Sequence, residues 1–180
     1  MKKIFLIAIL SSYLYSFNDF QLKTLQMVMN KAREHKAFNK ERFPKTLAAI
    51  CLSESTAGKL ESKGKHTITD LDKKNRKDIT KASLGVMQIR IETAKDMIKF
   101  YNLKYLKNLS DKELAERLLN DINASTEIAT LYFITNFNYY KNFYVAISRY
   151  NGGTRNKKYV LKVLKNLKII NKLVKNGSLK

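Results

Sequence analysis

Apolar positions recur at spacings of three and four along most of this chain, interrupted by a few polar, glycine-bearing breaks. Asn18 stands where an N-cap belongs. Phe20, Leu25, Val28 and Met29 give the apolar spacing of a helix that starts at Asp19 and fades before Asn39 and Lys40. Pro44 suits the first turn of a second helix, on which Leu47, Ile50, Cys51 and Glu54 occupy adjoining faces. Residues 58–81 change character: they are rich in Lys, Asp and Ser and lack apolar periodicity, so they read as an extended surface loop with room for short strands at 66–70. A loop of that length in a compact domain usually has a function, and lining a binding groove is one.

Residues 82–91 are small and apolar around Gly85, and residues 93–101 carry a helical pattern. Ser110 and Glu113 have capping-box spacing ahead of Leu114, Leu118 and Leu119. A long apolar helix is predicted over 122–137, with Ala124, Ile128, Leu131, Tyr132 and Thr135 near helical spacing. A shorter one over 143–150 is broken by Asn151-Gly152-Gly153. The stretch from Lys157 to Lys175 is amphipathic, with Val160, Leu164, Leu167, Ile170 and Val174 on one side and lysines over much of the other. Such a helix either closes over a core or lies on a membrane surface. The pattern as a whole is that of a predominantly all-α domain, and no repeat, heptad or low-complexity tract competes with it.

Length and composition narrow the class. A chain of 180 residues without a linker is most simply one domain, and 44% apolar residues argue against disorder despite a formal charge of +20. Met1-Lys2-Lys3, a short apolar run to Leu10 and small residues up to Ser16 have the elements of a secretory signal or N-terminal anchor, which divides the chain into 1–16 and a domain over 17–180. The site of action expected from this is periplasmic or secreted, with retention at the inner membrane if the segment stays uncleaved. The positive charge implies a polyanionic neighbour, and export favours a wall polymer over nucleic acid. Cys51 is the single cysteine, so no internal disulfide can form, and its apolar setting reads as structural.

Three clusters carry candidate chemistry. Glu54, at the end of an apolar helix, is placed for the desolvation that keeps a carboxylic acid protonated near neutral pH, as protonating a glycosidic oxygen requires. Gly85-Val86-Met87-Gln88-Ile89 offers exposed backbone, a soft Met87 wall and the Gln88 amide, which suit sugar rings and their N-acetyl groups. Tyr150-Asn151-Gly152-Gly153 joins a phenol and an amide to a sharp break: Tyr150 to orient the acid or the reacting N-acetyl group, Asn151 to tie down the loop. Singly, each also reads as a solvated helix residue, a tight turn or a helix cap. Glu61, Glu92, Glu113, Glu116 and Glu127 read as surface or cap residues.

The order Glu54-Ser55, then Ser83 to Ile89, then Thr93-Ala94, then Tyr150 to Gly153 resembles the catalytic domain of the soluble lytic transglycosylases, within the lysozyme-like superfamily. The similarity runs from about Phe43 to Tyr159, roughly two thirds of the chain. It implies a mostly helical fold with a groove for the glycan strands of peptidoglycan. The implied reaction cuts the β-1,4 bond between N-acetylmuramic acid and N-acetylglucosamine and leaves a 1,6-anhydromuramyl end, with no cofactor and no metal. Carried across by position, Glu54 matches the single acid/base and Ser55 the serine beside it, which supports the muramyl N-acetyl region. Gly85, Met87 and Gln88 match the groove-lining motif, and Tyr150 and Asn151 the last motif.

Three features depart from the pattern: Arg149 where a small residue is usual, Gly153 in a variable place, and a long segment between Glu54 and Gly85. That segment holds Asp70, Asp72 and Asp78, any of which would supply the second carboxylate of a hydrolase. In inverting enzymes it would stand about 6.5–9.5 Å from the acid. The further alternatives are a non-catalytic basic wall-binding protein and a nucleic-acid-binding protein, for which no motif is present. The biological settings open to such an enzyme are wall turnover, a secretion or conjugation machine, and phage entry.

Overall fold

The computed structural model of the protein describes residues 17–58 and 78–180. The N-terminal segment 1–16, the strands expected at 66–70, Asp70 and Asp72 lie outside the described residues. Among the described residues seven α-helices follow one another: α1 (Asp19–Ala32), α2 (Pro44–Ser55), α3 (Ile91–Tyr101), α4 (Asp111–Asn120), α5 (Ile122–Tyr140), α6 (Phe143–Tyr150) and α7 (Lys157–Lys175), with a 3-10 turn at Ile79–Lys81. No strand occurs among the described residues, so the domain is predominantly helical as expected.

Local signals set most of the boundaries. Asn18 caps α1 in a full capping box with Gln21, and Ser110 does so for α4 with Glu113. Each box satisfies amide groups that would otherwise lack partners at a helix start. Pro44 opens α2, where its missing N–H costs nothing. Two helices differ from their predicted spans: α3 begins at Ile91 rather than residue 93, and α5 continues to Tyr140.

The core is organised around α2 and α5. On α2, Leu47, Ala48, Ala49, Ile50 and Cys51 are all fully buried, so the helix is covered on every face by α1, α5 and α7. Ala48, Ala49 and Cys51 are small, which lets neighbouring backbones come close. Burial pushes the Cys51 thiol up to about 12, so it stays an inert thiol in the core, as its sequence setting implied. At the start of α2, Phe43 packs edge-on against Phe133 and Phe137, with centroids 5.1 and 4.8 Å apart, fixing α2 against α5.

Three expectations need correction. Phe20 is 55% exposed: the face of α1 that enters the core carries Gln21, Thr24, Leu25, Val28 and Met29. On α7 the fully seated residues are Tyr159, Val163 and Ile170, while Val160, Leu164, Leu167 and Val174 pack at the margin. The packed stripe is rotated towards Tyr159 because that side chain and Asn166 have polar partners on α2. Glu127, read as a surface or cap residue, is buried.

Glu127 sits inside α5 facing α1. Its carboxylate lies 3.4 Å from His35 Nε2 and 3.5 Å from Lys31 Nζ, and it accepts a 2.5 Å hydrogen bond from the Tyr105 hydroxyl. His35 above all, then Tyr105 and the Lys31 charge, hold it down at about 2 against the desolvation that opposes them. Its folded value lies below the ordinary 4.5, so its stabilising contribution is present above that value and is lost as pH falls towards 2. Glu127→Gln is expected to cost on the order of 3 kcal/mol at neutral pH. Denaturant titrations at pH 7 and near pH 2 should show the gap between the two proteins closing at the acid end; an equal gap at both would remove Glu127 from the acid sensitivity.

Candidate active site

Glu54 occupies the last turn of α2, half-buried. A carboxylate there faces the negative end of the peptide dipoles, so donors from neighbouring helices favour it. The Tyr159 hydroxyl of α7 donates to Glu54 Oε1. One residue earlier, Ser53 offers its carbonyl to Lys162 Nζ, and its hydroxyl accepts from Asn166 Nδ2 at 2.8 Å. A helix end whose carbonyls meet an ammonium group is stabilised by both the hydrogen bond and the charge.

Behind Glu54 the chain leaves α2 through Thr56 and Ala57, both left-handed with φ of 53° and 56°. Side chains disfavour this conformation, and it is held by its surroundings. Gln21 Nε2 donates to Thr56 O at 2.9 Å, and the amide of Gly58 donates to Ser55 Oγ at 2.9 Å.

The facing wall is a tight turn. Leu84 and Ile89 exchange two backbone hydrogen bonds of 2.9 Å, with residues 85–88 between them. Gly85 has φ of +69°, and a Cβ on it would lie 2.1 Å from Leu118 O, so the turn is seated directly on the α4 backbone. Gln88 is also left-handed, and its Nε2 and backbone amide both donate to Gly85 O at 3.0 Å.

Between these elements lies a cleft of about 510 Å³. Glu54, Tyr132 and Tyr150 line it from α2, α5 and α6; Ser83, Gln88, Ile89, Arg90 and Thr93 form one side, and Asn151 and Gly152 the other. Glu54 is the one carboxylate among the described residues lining it. Asp78 instead caps the 3-10 turn, accepting from Thr80 N at 3.0 Å and Thr80 Oγ1 at 2.7 Å, and stands 3.7 Å from Lys81.

The cleft thus brings together Glu54, Gln88, Tyr150 and Asn151 of the residues singled out in the sequence. Ser55, Gly85 and Met87 are buried and line none of it. Ser55 is tied up inside: its hydroxyl donates to Val86 O at 2.8 Å, joining the end of α2 to the turn. Met87 contributes its carbonyl, which accepts the Tyr150 hydroxyl at 2.8 Å. These three residues shape the cleft rather than face it.

The tyrosines divide the work differently from the sequence reading. Tyr150 spends its hydroxyl on Met87, and its ring lies 5.8 Å from that of Tyr132. The phenol on the carboxylate is Tyr159, which sequence reasoning did not single out. Its one signal was a tyrosine within an otherwise aliphatic stripe. Burial first, then the Glu54 charge, push both phenols far above their ordinary value, so both stay protonated and act as donors. Asn151 accepts from Asn156 Nδ2 at 2.8 Å, and Ser148 accepts from Asn156 N at 2.7 Å, fixing the break after α6. Arg149 turns away, its guanidinium 6.0 Å from the Tyr140 ring.

A half-buried carboxyl group hydrogen-bonded to a neutral phenol, open to a polar cleft, can exchange a proton with a bound substrate. No cluster of metal-ligating side chains occurs among the described residues. The family model described as the transglycosylase SLT domain matches residues 32–172. No curated protein and no solved structure matches the chain.

Gly85→Ala is expected to lower stability by on the order of 2–4 kcal/mol, since it adds a clash with Leu118 O to a strained φ. Thermal unfolding measures this, and an unchanged Tm would mean that the turn is not seated on α4.

Proposed function

The chain belongs to the transglycosylase SLT-domain family, whose members cleave glycans, and on that footing we propose that it is a peptidoglycan lytic transglycosylase with Glu54 as its acid/base. The observation that carries this reading is the placement of Glu54: alone among carboxylates in the described part of the cleft, backed by core, and bonded to a phenol.

In the proposed reaction Glu54 gives its proton to the glycosidic oxygen between N-acetylmuramic acid and N-acetylglucosamine. The muramyl 2-acetamido oxygen attacks its own anomeric carbon as the bond breaks. Ionised Glu54 then takes the proton of the C6 hydroxyl while that oxygen closes on the anomeric carbon and releases the acetamido group. The carboxyl group ends protonated, ready for another cycle, and the product carries a 1,6-anhydro ring. Tyr159 donates to Glu54 most strongly when the carboxylate is charged, so it favours the step in which Glu54 has lost its proton. Gln88 and Asn151 offer amides on opposite sides for N-acetyl and hydroxyl groups, and the exposed edge of Tyr150 gives a sugar ring an apolar surface.

Hydrolysis needs a second carboxylate to activate water across the ring. The commitment of Asp78 to Thr80 and Lys81 favours the lytic reading over that one. The reading also carries an extracytoplasmic site of action, periplasmic or secreted, reached through residues 1–16.

Glu54→Gln is expected to bind glycan strands yet lose turnover by at least a hundredfold, the usual weight of a positioned acid/base. Retained turnover of purified peptidoglycan would sink the assignment. Products of the wild-type protein should be lighter by one water than those of a hydrolase, and mass spectrometry of the digest decides between them. Tyr159→Phe, which keeps the buried ring, should lower kcat on the order of tenfold with KM little moved, since it removes one hydrogen bond to a charged group. A change confined to KM would make Tyr159 a substrate contact instead.

A further inference from the structure

Helix α7 carries more positive charge than its packing uses: of its lysines, Lys162 alone bonds to another helix of the described structure. Between Lys157 and Lys175 there are seven lysines and no acidic residue. All seven are exposed, and none pairs with a carboxylate among the described residues. Lys158, Lys162, Lys165, Lys168, Lys172 and Lys175 follow one another at spacings of three and four, so they share one side of the helix opposite Tyr159, Val163 and Ile170. The stripe runs about 25 Å at 1.5 Å per residue.

Two observations weigh against an idle solvated face. Helices α1, α3 and α4 place an acidic residue in the first turn, where the dipole favours it; α2, α5 and α6 place none, and α7 opens on the two lysines Lys157 and Lys158, where like charges are disfavoured. The helix that carries the stripe also starts beside the cleft. Asn156, which caps α7, is bonded to the cleft residue Asn151; Tyr159 touches Glu54; and Lys162 touches Ser53.

We infer that the lysine side of α7 is a cationic rail that binds the carboxylate-bearing stem peptides of the peptidoglycan strand held in the cleft. The inference rests on the catalytic reading above. In the intact strand the lactyl carboxyl group of each muramyl residue is tied up in the amide bond to its stem peptide, so the negative charge of the polymer lies in its peptides. A helix that leaves the cleft carrying only positive charge meets those peptides and not the sugars, and its length lets it engage more than one. A lipid surface fits less well. The apolar stripe of α7 is already spent on the core, and Leu161 is the one large hydrophobic residue of the helix that stands exposed, so little is left to insert.

The test compares uncross-linked glycan strands that carry stem peptides with the same strands stripped of them by an amidase, which leaves a single carboxylate on each muramyl residue, close to the sugar. The rail variant carries Lys165→Gln, Lys168→Gln, Lys172→Gln and Lys175→Gln; a control of equal charge carries Lys99→Gln, Lys104→Gln, Lys107→Gln and Lys112→Gln on and beside α3 and α4. For the wild type, the ratio of kcat/KM on peptide-bearing to stripped strands should exceed one and fall with added salt. In the rail variant it should drop on the order of tenfold, the combined weight of four exposed charge contacts, and in the control it should stay at the wild-type value. An unchanged ratio in the rail variant, or an equal drop in the control, overturns the inference. Weakened sedimentation with anionic lipid vesicles, with binding to peptide-bearing strands unchanged, would assign the rail to a membrane and overturn it too. If the wild type cleaves neither substrate, the catalytic reading fails by itself. Binding of the three proteins to immobilised strands with and without stem peptides then decides on the rail, by the same ratios.

Discussion

A carboxylate at the C-terminal end of a helix has the peptide dipoles against it, and where the turn that carries it is half-buried water makes good only part of the difference. Glu54 is in that position, and the structure around it is largely the set of groups that meet the need. Tyr159 reaches the carboxylate and Lys162 the neighbouring carbonyl, both from α7. Gln21 holds the exit of the chain from α1, and Ser55 pins the same exit to the 84–89 turn. Three segments far apart in sequence thus converge on one helix turn, and the cleft is the space they leave open on its remaining side.

Backbone strain gathers at the same place. Thr56, Ala57 and Gln88 all adopt left-handed conformations that side chains disfavour, and the first two lie just behind Glu54 while the third lines the cleft. Strain of this sort persists where surrounding contacts over-determine it, and it is common at functional sites. Here the contacts can be named. Gly85 lets the turn rest on the α4 backbone, and the Tyr150 hydroxyl ties Met87 to α6. The buried residues of the motif therefore act on the exposed ones by fixing where Gln88 and Glu54 point.

Much of the architecture was legible in the chain because local chemistry decides it. The capping residues Asn18 and Ser110, Pro44 at the first turn and the Gly152 break all mark real boundaries. Glu54, Gln88, Tyr150 and Asn151 were legible as a cleft set only through motif order, since each alone is ambiguous. The division of labour within the motifs was not. Ser55 lies one turn after the buried Cys51, so helical spacing already places it inward, and reading it by residue type passes over that. Tyr159 and Glu127 escaped for another reason: their partners are fixed by packing between helices, which no local window contains. An acidic residue on a long apolar helix looks like an exposed one until Lys31, His35 and Tyr105 are seen beside it.

The bond between Tyr159 and Glu54 spans 105 residues. A ribosome releases Glu54 and the 84–89 turn long before it releases the phenol that completes them, and closing so large a loop is among the slower events in folding. Until α7 docks, the site in the nascent chain is without the Tyr159 hydroxyl. The docking of α7 therefore sets the moment at which the site comes into being.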